Sequence, residues 1–212
     1  MIAPTDACAL FGMAVALCAG AMCLYSFVLP PWFQGLAPGW IKALTMVLFI
    51  SLLVPIPGTG IPFAGYFRGF IGDLSISLLA LSIWSLCHRL FDVTAIRKRE
   101  LTALLAVICV AALLLYPTAL GWSDWDAYRL GWGSWWFISA LLAISAASAL
   151  IGLRVLPVLI ALALLAWSAG LMESGNLWDY LLDPWLSAFA LGFVLIRYLP
   201  TLFKRFVKRS SH

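Results

Sequence analysis

Charged side chains are scarce in this sequence. Asp, Glu, Lys and Arg make up 10% of its 212 residues, whereas soluble domains carry about 25%. Hydrophobic residues make up 64%, which is more than a short water-soluble fold can bury, because a chain of this length leaves much of its surface exposed. The composition therefore predicts an integral membrane protein whose solvent and first partner is the lipid bilayer.

The sequence also lacks the patterns that hold metals, cofactors or nucleic acids. Its 2 histidines and 5 cysteines form no CxxC pair, and cysteines inside apolar runs usually pack as small apolar side chains. The net charge of +4 is not gathered into a basic stripe with interleaved aromatics, as on nucleic-acid-binding surfaces. We therefore predict no metal, no cofactor and no nucleic-acid partner.

Long apolar runs are what the sequence does contain. A bilayer core needs about 20 apolar residues per helix, within a range of about 17–25, and several runs qualify or nearly qualify. They are Ala7 to Leu29, Trp40 to Pro55, Phe70 to Leu90, Leu101 to Tyr116, Trp135 to Leu153, Leu156 to Leu171 and Trp185 to Pro200. The sequence thus predicts an all-α, polytopic transmembrane bundle of about seven helices in residues 1–200, followed by a basic cytoplasmic tail in residues 201–212.

The second run, residues 40–55, has two interpretations. A run of this length rises only about 24 Å as a helix, which is less than a bilayer core of about 30 Å, and it ends in the Pro- and Gly-rich stretch 55–62. Tilt or local thinning of the bilayer can make up the difference. If this segment is re-entrant instead, six helices remain and the N-terminus moves to the cytoplasm.

Basic residues gather at alternate ends of the apolar runs. With seven spans, every Lys and Arg except Arg68 and Arg129 lies on one side of the membrane. Lys and Arg mark the cytoplasmic side of membrane proteins. This distribution predicts an inner-membrane protein with a cytoplasmic C-terminus and an extracytoplasmic N-terminus.

Two charged residues, Arg68 and Asp73, lie near the start of the third run. A carboxylate within an apolar run is costly and usually faces a partner. Arg68 is the nearest candidate, and an Arg–Asp clamp would pin the Pro- and Gly-rich loop to the helix. Alternatively, Arg68 binds the phosphate of a lipid headgroup, which a guanidinium matches in a bidentate way.

The stretch from Tyr66 to Ser77, which reads YFRGFIGDLSIS, resembles part of the membrane domain of the sulfatase-fold phosphoglycerol and phosphoethanolamine transferases. Those enzymes modify lipid-linked polymers or glucans outside the inner membrane, using a large extracytoplasmic metal-binding domain with a Thr nucleophile. This chain has no room for such a domain, so the resemblance assigns no catalytic residue. It implies an accessory membrane unit for envelope chemistry.

Tryptophans and aspartates alternate in the two predicted outer loops. The residues concerned are Trp122, Asp124, Trp125, Asp126, Trp178, Asp179 and Asp183. Aromatic rings beside carboxylates are used to bind sugars, and two carboxylates are the minimum for glycoside hydrolysis. The alternative is an interfacial belt, because Trp and Tyr concentrate where membrane meets water. The belt is the preferred interpretation, and catalytic residues stay unassigned.

These patterns favour a non-catalytic accessory subunit or scaffold for envelope lipid or polysaccharide biosynthesis, working with a larger membrane or envelope enzyme. A second interpretation is an integral-membrane enzyme or lipid-handling protein that binds a phosphate headgroup at the outer leaflet. A third is a small transporter. Transporters need charged residues along their path through the membrane, and apart from Asp73 the predicted spans carry almost no charge.

Overall fold

The computed structural model describes the backbone of residues 4–28 and 38–210, and the side chains of residues 6–25 and 39–198. Within these residues the chain forms nine α-helices, one short 3₁₀ helix and no β-strand, with a single isolated bridge between Pro55 and Pro62. The prediction of an all-helical chain is therefore confirmed. The helices divide into two compact units, Met1–Ala95 and Ile96–His212.

The first unit is built around its first helix. Its elements are α1 (Pro4–Val28), α2 (Pro38–Leu53), α3 (Phe63–Ile71) and α4 (Ile76–Phe91). Helix α1 contacts each of the other three. Ala14 and Cys18 lie one turn apart on α1 and are fully buried, because small side chains allow neighbouring helices to approach closely.

Ion pairs lie at the two opposite ends of the first unit. At one end, Arg68 contacts Asp6 at the start of α1 and Asp73 just before α4. At the other end, Lys42 near the start of α2 lies 3.4 Å from Asp92, which follows α4. Helices α1 and α4 therefore run from the first end to the second, and α2 packs against α1 and runs in the opposite direction.

The second unit contains the remaining helices. They are α5 (Lys98–Ala119), the 3₁₀ helix Ala127–Gly131, α6 (Trp135–Leu150), α7 (Val155–Ser168), α8 (Leu177–Leu181) and α9 (Pro184–Ser210). Helix α5 packs against α7 and α9, and α6 packs against α7. Side chains from the start of α5 hold the turn between α6 and α7: Arg99 donates to the carbonyl of Ile151, and Glu100 accepts from the backbone N–H of Arg154 and Val155.

Each predicted span overlaps at least one helix, but several predicted bounds differ from the observed ones, and two of the differences have a local physical cause. The third run does not form one helix from Phe70, because Gly72 ends α3 with a positive φ of 81° and Ser75 caps the start of α4 by accepting from the N–H of Leu78. The fourth run does not stop before Pro117. This residue lies in the last turn of α5, where a proline removes one backbone hydrogen bond but does not interrupt a further stretch of helix.

Two helical stretches are long and apolar enough to cross a membrane, Asp6–Tyr25 and Lys98–Ala119. Five shorter apolar stretches of 10–17 residues occupy the other predicted spans: Gly39–Leu53, Ile76–Phe91, Trp135–Leu150, Val155–Ser168 and Pro184–Tyr198. That all seven cross a membrane stays a prediction. The boundary predicted at residue 200 also stays a prediction, and the backbone of α9 continues past it to Ser210. The side chains of the basic tail lie outside the described residues.

Candidate functional site

Three charged residues of the first unit form what we call the ionic clasp: Asp6, Arg68 and Asp73. The Nε of Arg68 donates to Asp73 and its Nη1 donates to Asp6, each at 2.9 Å. The Arg68 side chain is 23% exposed, against 33% for Asp73 and 46% for Asp6. These bonds, first to Asp73 and then to Asp6, raise the pKa of Arg68, so its guanidinium stays charged while it joins α1, α3 and the turn before α4.

The charge balance of the ionic clasp favours a structural role. One guanidinium faces two carboxylates, so the cluster carries a net negative charge when all three groups are ionised. A lipid phosphate would have to compete with both carboxylates for the same donors. The pairing of Arg68 with Asp73 is the clamp that their spacing suggested. No local sequence pattern indicates Asp6 as a partner of Arg68, because the two residues lie 62 positions apart in the sequence.

The second candidate site is a folded cap at one end of the second unit, made of the α5–α6 connection (residues 120–134) and the α7–α9 connection (residues 169–183). Asn176 lies at its centre and is fully buried. Its Nδ2 donates to the carbonyl of Tyr128 at 2.9 Å, and its Oδ1 accepts from the N–H of Trp178 at 3.0 Å. The indole of Trp178 donates to the carbonyl of Ala127 at 2.9 Å. These bonds tie the two connections together.

Asp179 belongs to the same hydrogen-bond network. Its Oδ2 accepts from the hydroxyl of Tyr128 at 2.9 Å and from the hydroxyl of Ser174. Burial raises the pKa of Tyr128, and the bond to Asp179 raises it further, so the phenol stays protonated and keeps donating. Asp179 therefore works as an acceptor that holds the cap.

The other aspartates divide between helix capping and the surface. Asp126 accepts from the N–H of Tyr128 and starts the 3₁₀ helix. Asp183 is 5% exposed and accepts from the N–H of Trp185 at 2.9 Å and of Leu186 at 2.8 Å. It thus caps the start of α9, where a negative charge also suits the helix dipole. Asp124 is exposed.

The capping role of Asp183 can be tested by substitution. We expect Asp183→Ala to lower the free energy of unfolding by about 1–2 kcal/mol, because two N–H groups lose their acceptor, and Asp183→Asn to retain most of the stability. The exposed Asp124→Ala is the control and should change it by less than about 0.5 kcal/mol. Thermal unfolding in detergent measures all three. Equal midpoints for Asp183→Ala and Asp124→Ala would contradict the assignment.

The tryptophans in the cap and in the first turns of the adjoining α6 and α9 do not form one uniform belt. Trp122 and Trp136 are 81% and 86% exposed, and four others are also exposed: Trp125, Trp132, Trp135 and Trp185. Trp178 differs, because it is 5% exposed and its ring lies 4.4 Å from that of Phe137. Trp178 therefore belongs to the interior of the cap, while the exposed rings have the location expected of an interfacial layer.

Sequence reasoning missed the residues that organise the cap. Asn176, Tyr128 and Ser174 supply its central hydrogen bonds. A signal was present in the Ser174-Gly175-Asn176 turn, since Ser and Asn are the residues that bond to nearby backbone in turns and helix caps. Within the described residues, no three His, Cys, Asp or Glu side chains lie close enough together to hold a metal ion.

Compared with known protein families, curated proteins and solved structures, the chain matches none. The resemblance of residues 66–77 to a transferase membrane domain therefore stays a prediction.

Proposed function

We propose that this chain is a multi-pass inner-membrane protein that acts as a non-catalytic accessory subunit or scaffold in envelope lipid or polysaccharide biosynthesis. The observation that carries the proposal is the use of its polar groups. Arg68, Asp73, Asp179 and Asp183 each bond to groups of the chain itself. The surface available to a partner includes the exposed tryptophans of the hydrogen-bonded cap.

The outer surfaces of the helices support a membrane location. Large apolar side chains are exposed along α2, including Leu44, Val47 and Ile50, and along α5, including Val110 and Leu113. Soluble monomers rarely expose apolar patches of more than a few hundred square ångströms. Hydrocarbon is the medium in which such helices would be stable.

The distribution of basic residues supports one orientation for each unit. In the first unit, Lys42 and Arg89 lie at the end where α4 terminates, whereas Arg68 at the opposite end is paired with two carboxylates. The second unit has the same bias at the end where α5 begins, and the residues there are Lys98, Arg99 and Arg154. By the positive-inside rule these ends face the cytoplasm, and the cap faces outward.

Reporter fusions test the orientation. A reporter active only outside the cytoplasm should be inactive when fused after Ala95 or at the C-terminus, and active when fused after Gly58 or Gly121. A reporter active only in the cytoplasm should give the reverse pattern and serves as the control. Opposite locations for the fusions at Ala95 and the C-terminus would overturn the proposed topology.

Activity and partner measurements test the accessory role. If the chain is non-catalytic, the cap variants Asp179→Asn and Asp183→Asn should leave the envelope lipids and polysaccharides of the producing cells unchanged, because an amide oxygen still accepts hydrogen bonds. The tagged chain should co-purify with a larger membrane enzyme in mild detergent. Loss of the product with either Asn variant at normal protein level would favour an enzyme instead.

The two alternatives have less support. The headgroup interpretation needs Arg68 to be available to phosphate, but two carboxylates share its donors. The transporter interpretation needs charges along the spans, and the ion pairs of the first unit lie at its two ends.

A further inference from the structure

A groove of about 300 Å³ lies between α5 and α9 of the second unit, next to the cap. Ala112 on α5 and Ala188 on α9 both line it, and their small side chains fill less space than larger ones would. Cys109 lines the groove one turn farther from the cap, and Leu113 and Leu191 also line it. Its walls are apolar apart from one pair of hydroxyl groups.

The mouth of the groove opens on the apolar outer surface of α5. Leu113 is 58% exposed and Leu191 is 38% exposed, so both side chains border the groove and face the surroundings. Helix α5 is one of the two helices that are long and apolar enough to cross a membrane. In the membrane location proposed above, the material at this mouth is hydrocarbon.

The hydroxyl pair lies at the end of the groove nearest the cap. The hydroxyls of Ser187 and Tyr116 lie 3.5 Å apart, which is long for a bond between two hydroxyl groups, and the phenol can donate its hydrogen to another acceptor. An ester carbonyl can accept a hydrogen bond from this phenol. Ester groups of glycerolipids lie near the membrane interface, where the aromatic layer of the cap would also lie.

We propose that this groove binds one acyl chain of a glycerolipid, with its ester group at Tyr116 and its hydrocarbon running toward Cys109. The distance from Pro117 to Cys109 along α5 is about 12 Å of helix rise, enough for the upper part of one chain. The inference rests on the proposed membrane location and names a lipid as the ligand class. It does not depend on the accessory role.

Photolabelling of the unmodified chain tests the proposal. The full chain is reconstituted in phosphatidylcholine vesicles that contain a small share of phosphatidylcholine with a diazirine in one acyl chain. After irradiation, labelled residues are mapped by mass spectrometry. Leu113 should be labelled several-fold more than Leu114, which is 46% exposed on the same helix but does not line the groove. These two leucines differ by one position, so depth and side-chain reactivity are matched.

Two further measurements make the test specific. A diazirine close to the ester should label Tyr116, and one farther along the chain should label Cys109. Ala188→Leu should fill the groove and reduce the labelling of Leu113 to the level of Leu114, whereas Ala143→Leu on the exposed surface of α6 should have no effect. If a variant fails to fold, the comparison of Leu113 with Leu114 in the unmodified chain still tests whether the groove binds lipid.

Equal labelling of Leu113 and Leu114 would overturn the proposal, because it indicates ordinary surrounding lipid only. Absence of lipid label on Leu113 while Leu114 is labelled would also overturn it and would indicate that protein rather than lipid occupies the groove. Selective labelling of Leu113 would support lipid binding in the groove. If cells lacking the chain also kept an unchanged envelope, the proposed biosynthetic role would be contradicted while the lipid site would stand.

Discussion

Replacing Gly131 with alanine is expected to lower the free energy of unfolding of the second unit by about 3 kcal/mol. A Cβ at this position would lie 1.7 Å from the Oδ1 of Asn176 and 2.8 Å from the Cδ1 of Trp178. Asn176 cannot retreat without losing its bonds to Tyr128 and Trp178, and it is fully buried. The cap must therefore open or lose its central hydrogen bonds.

The matched control is Gly192→Ala in α9 of the same unit. Nothing lies within 4 Å of the Cβ that this substitution adds, and alanine favours a helix over glycine by about 1 kcal/mol. We expect a slightly higher unfolding temperature for Gly192→Ala and a much lower one for Gly131→Ala, measured by tryptophan fluorescence in detergent. A neutral Gly131→Ala variant would show that the two connections do not pack as described.

Arg68→Met is the second substitution with a large expected effect. It removes the only cation of the ionic clasp but keeps most of the apolar stem of the side chain. The carboxylates of Asp6 and Asp73 then both lose the guanidinium from which they accept. Hydrogen bonds to charged groups contribute about 1.5–3 kcal/mol each, and partial exposure reduces this. We expect the first unit to lose about 2 kcal/mol of stability.

A double-mutant cycle identifies the interaction responsible. Asp6→Asn combined with Arg68→Met should cost less than the sum of the two single substitutions, because each removes the same ion pair. Lys42→Met at the opposite end is the control, since its partner Asp92 is 88% exposed and exposed pairs contribute about 1 kcal/mol or less. Additive effects at Asp6 and Arg68 would show that the two residues do not interact and that Asp6 is not part of the ionic clasp.

The sequence and the structure agree best where a signal is local. Arg68 and Asp73 are five positions apart, which is close enough for their pairing to be predicted from spacing. Asp6 could not be predicted, because only the antiparallel packing of α1 and α2 returns the chain to the same end. Helix α2 and the connection after it return the chain to that end of the first unit, and that α2 spans a membrane stays a prediction.

The cap shows why composition is a poor guide to individual side chains. Trp122 and Trp178 belong to the same type of aromatic and acidic stretch, yet the first is exposed and the second is buried. Their difference depends on Phe137 and on the carbonyl of Ala127, which come from distant parts of the sequence. Asp179 likewise accepts from Tyr128 only because the two connections meet, whereas Asp183 caps its own helix through local backbone N–H groups.

Helical structure and the approximate positions of the apolar helices follow from local sequence, because backbone hydrogen bonding and hydrophobic length are properties of contiguous residues. Which polar groups find hydrogen-bond partners, and where a groove is left between helices, depends on the tertiary structure. Asn176 fills the position beside Gly131, two carboxylates share Arg68, and Ala112 and Ala188 leave a groove. These outcomes depend on residues far apart in the chain being brought within a few ångströms of each other.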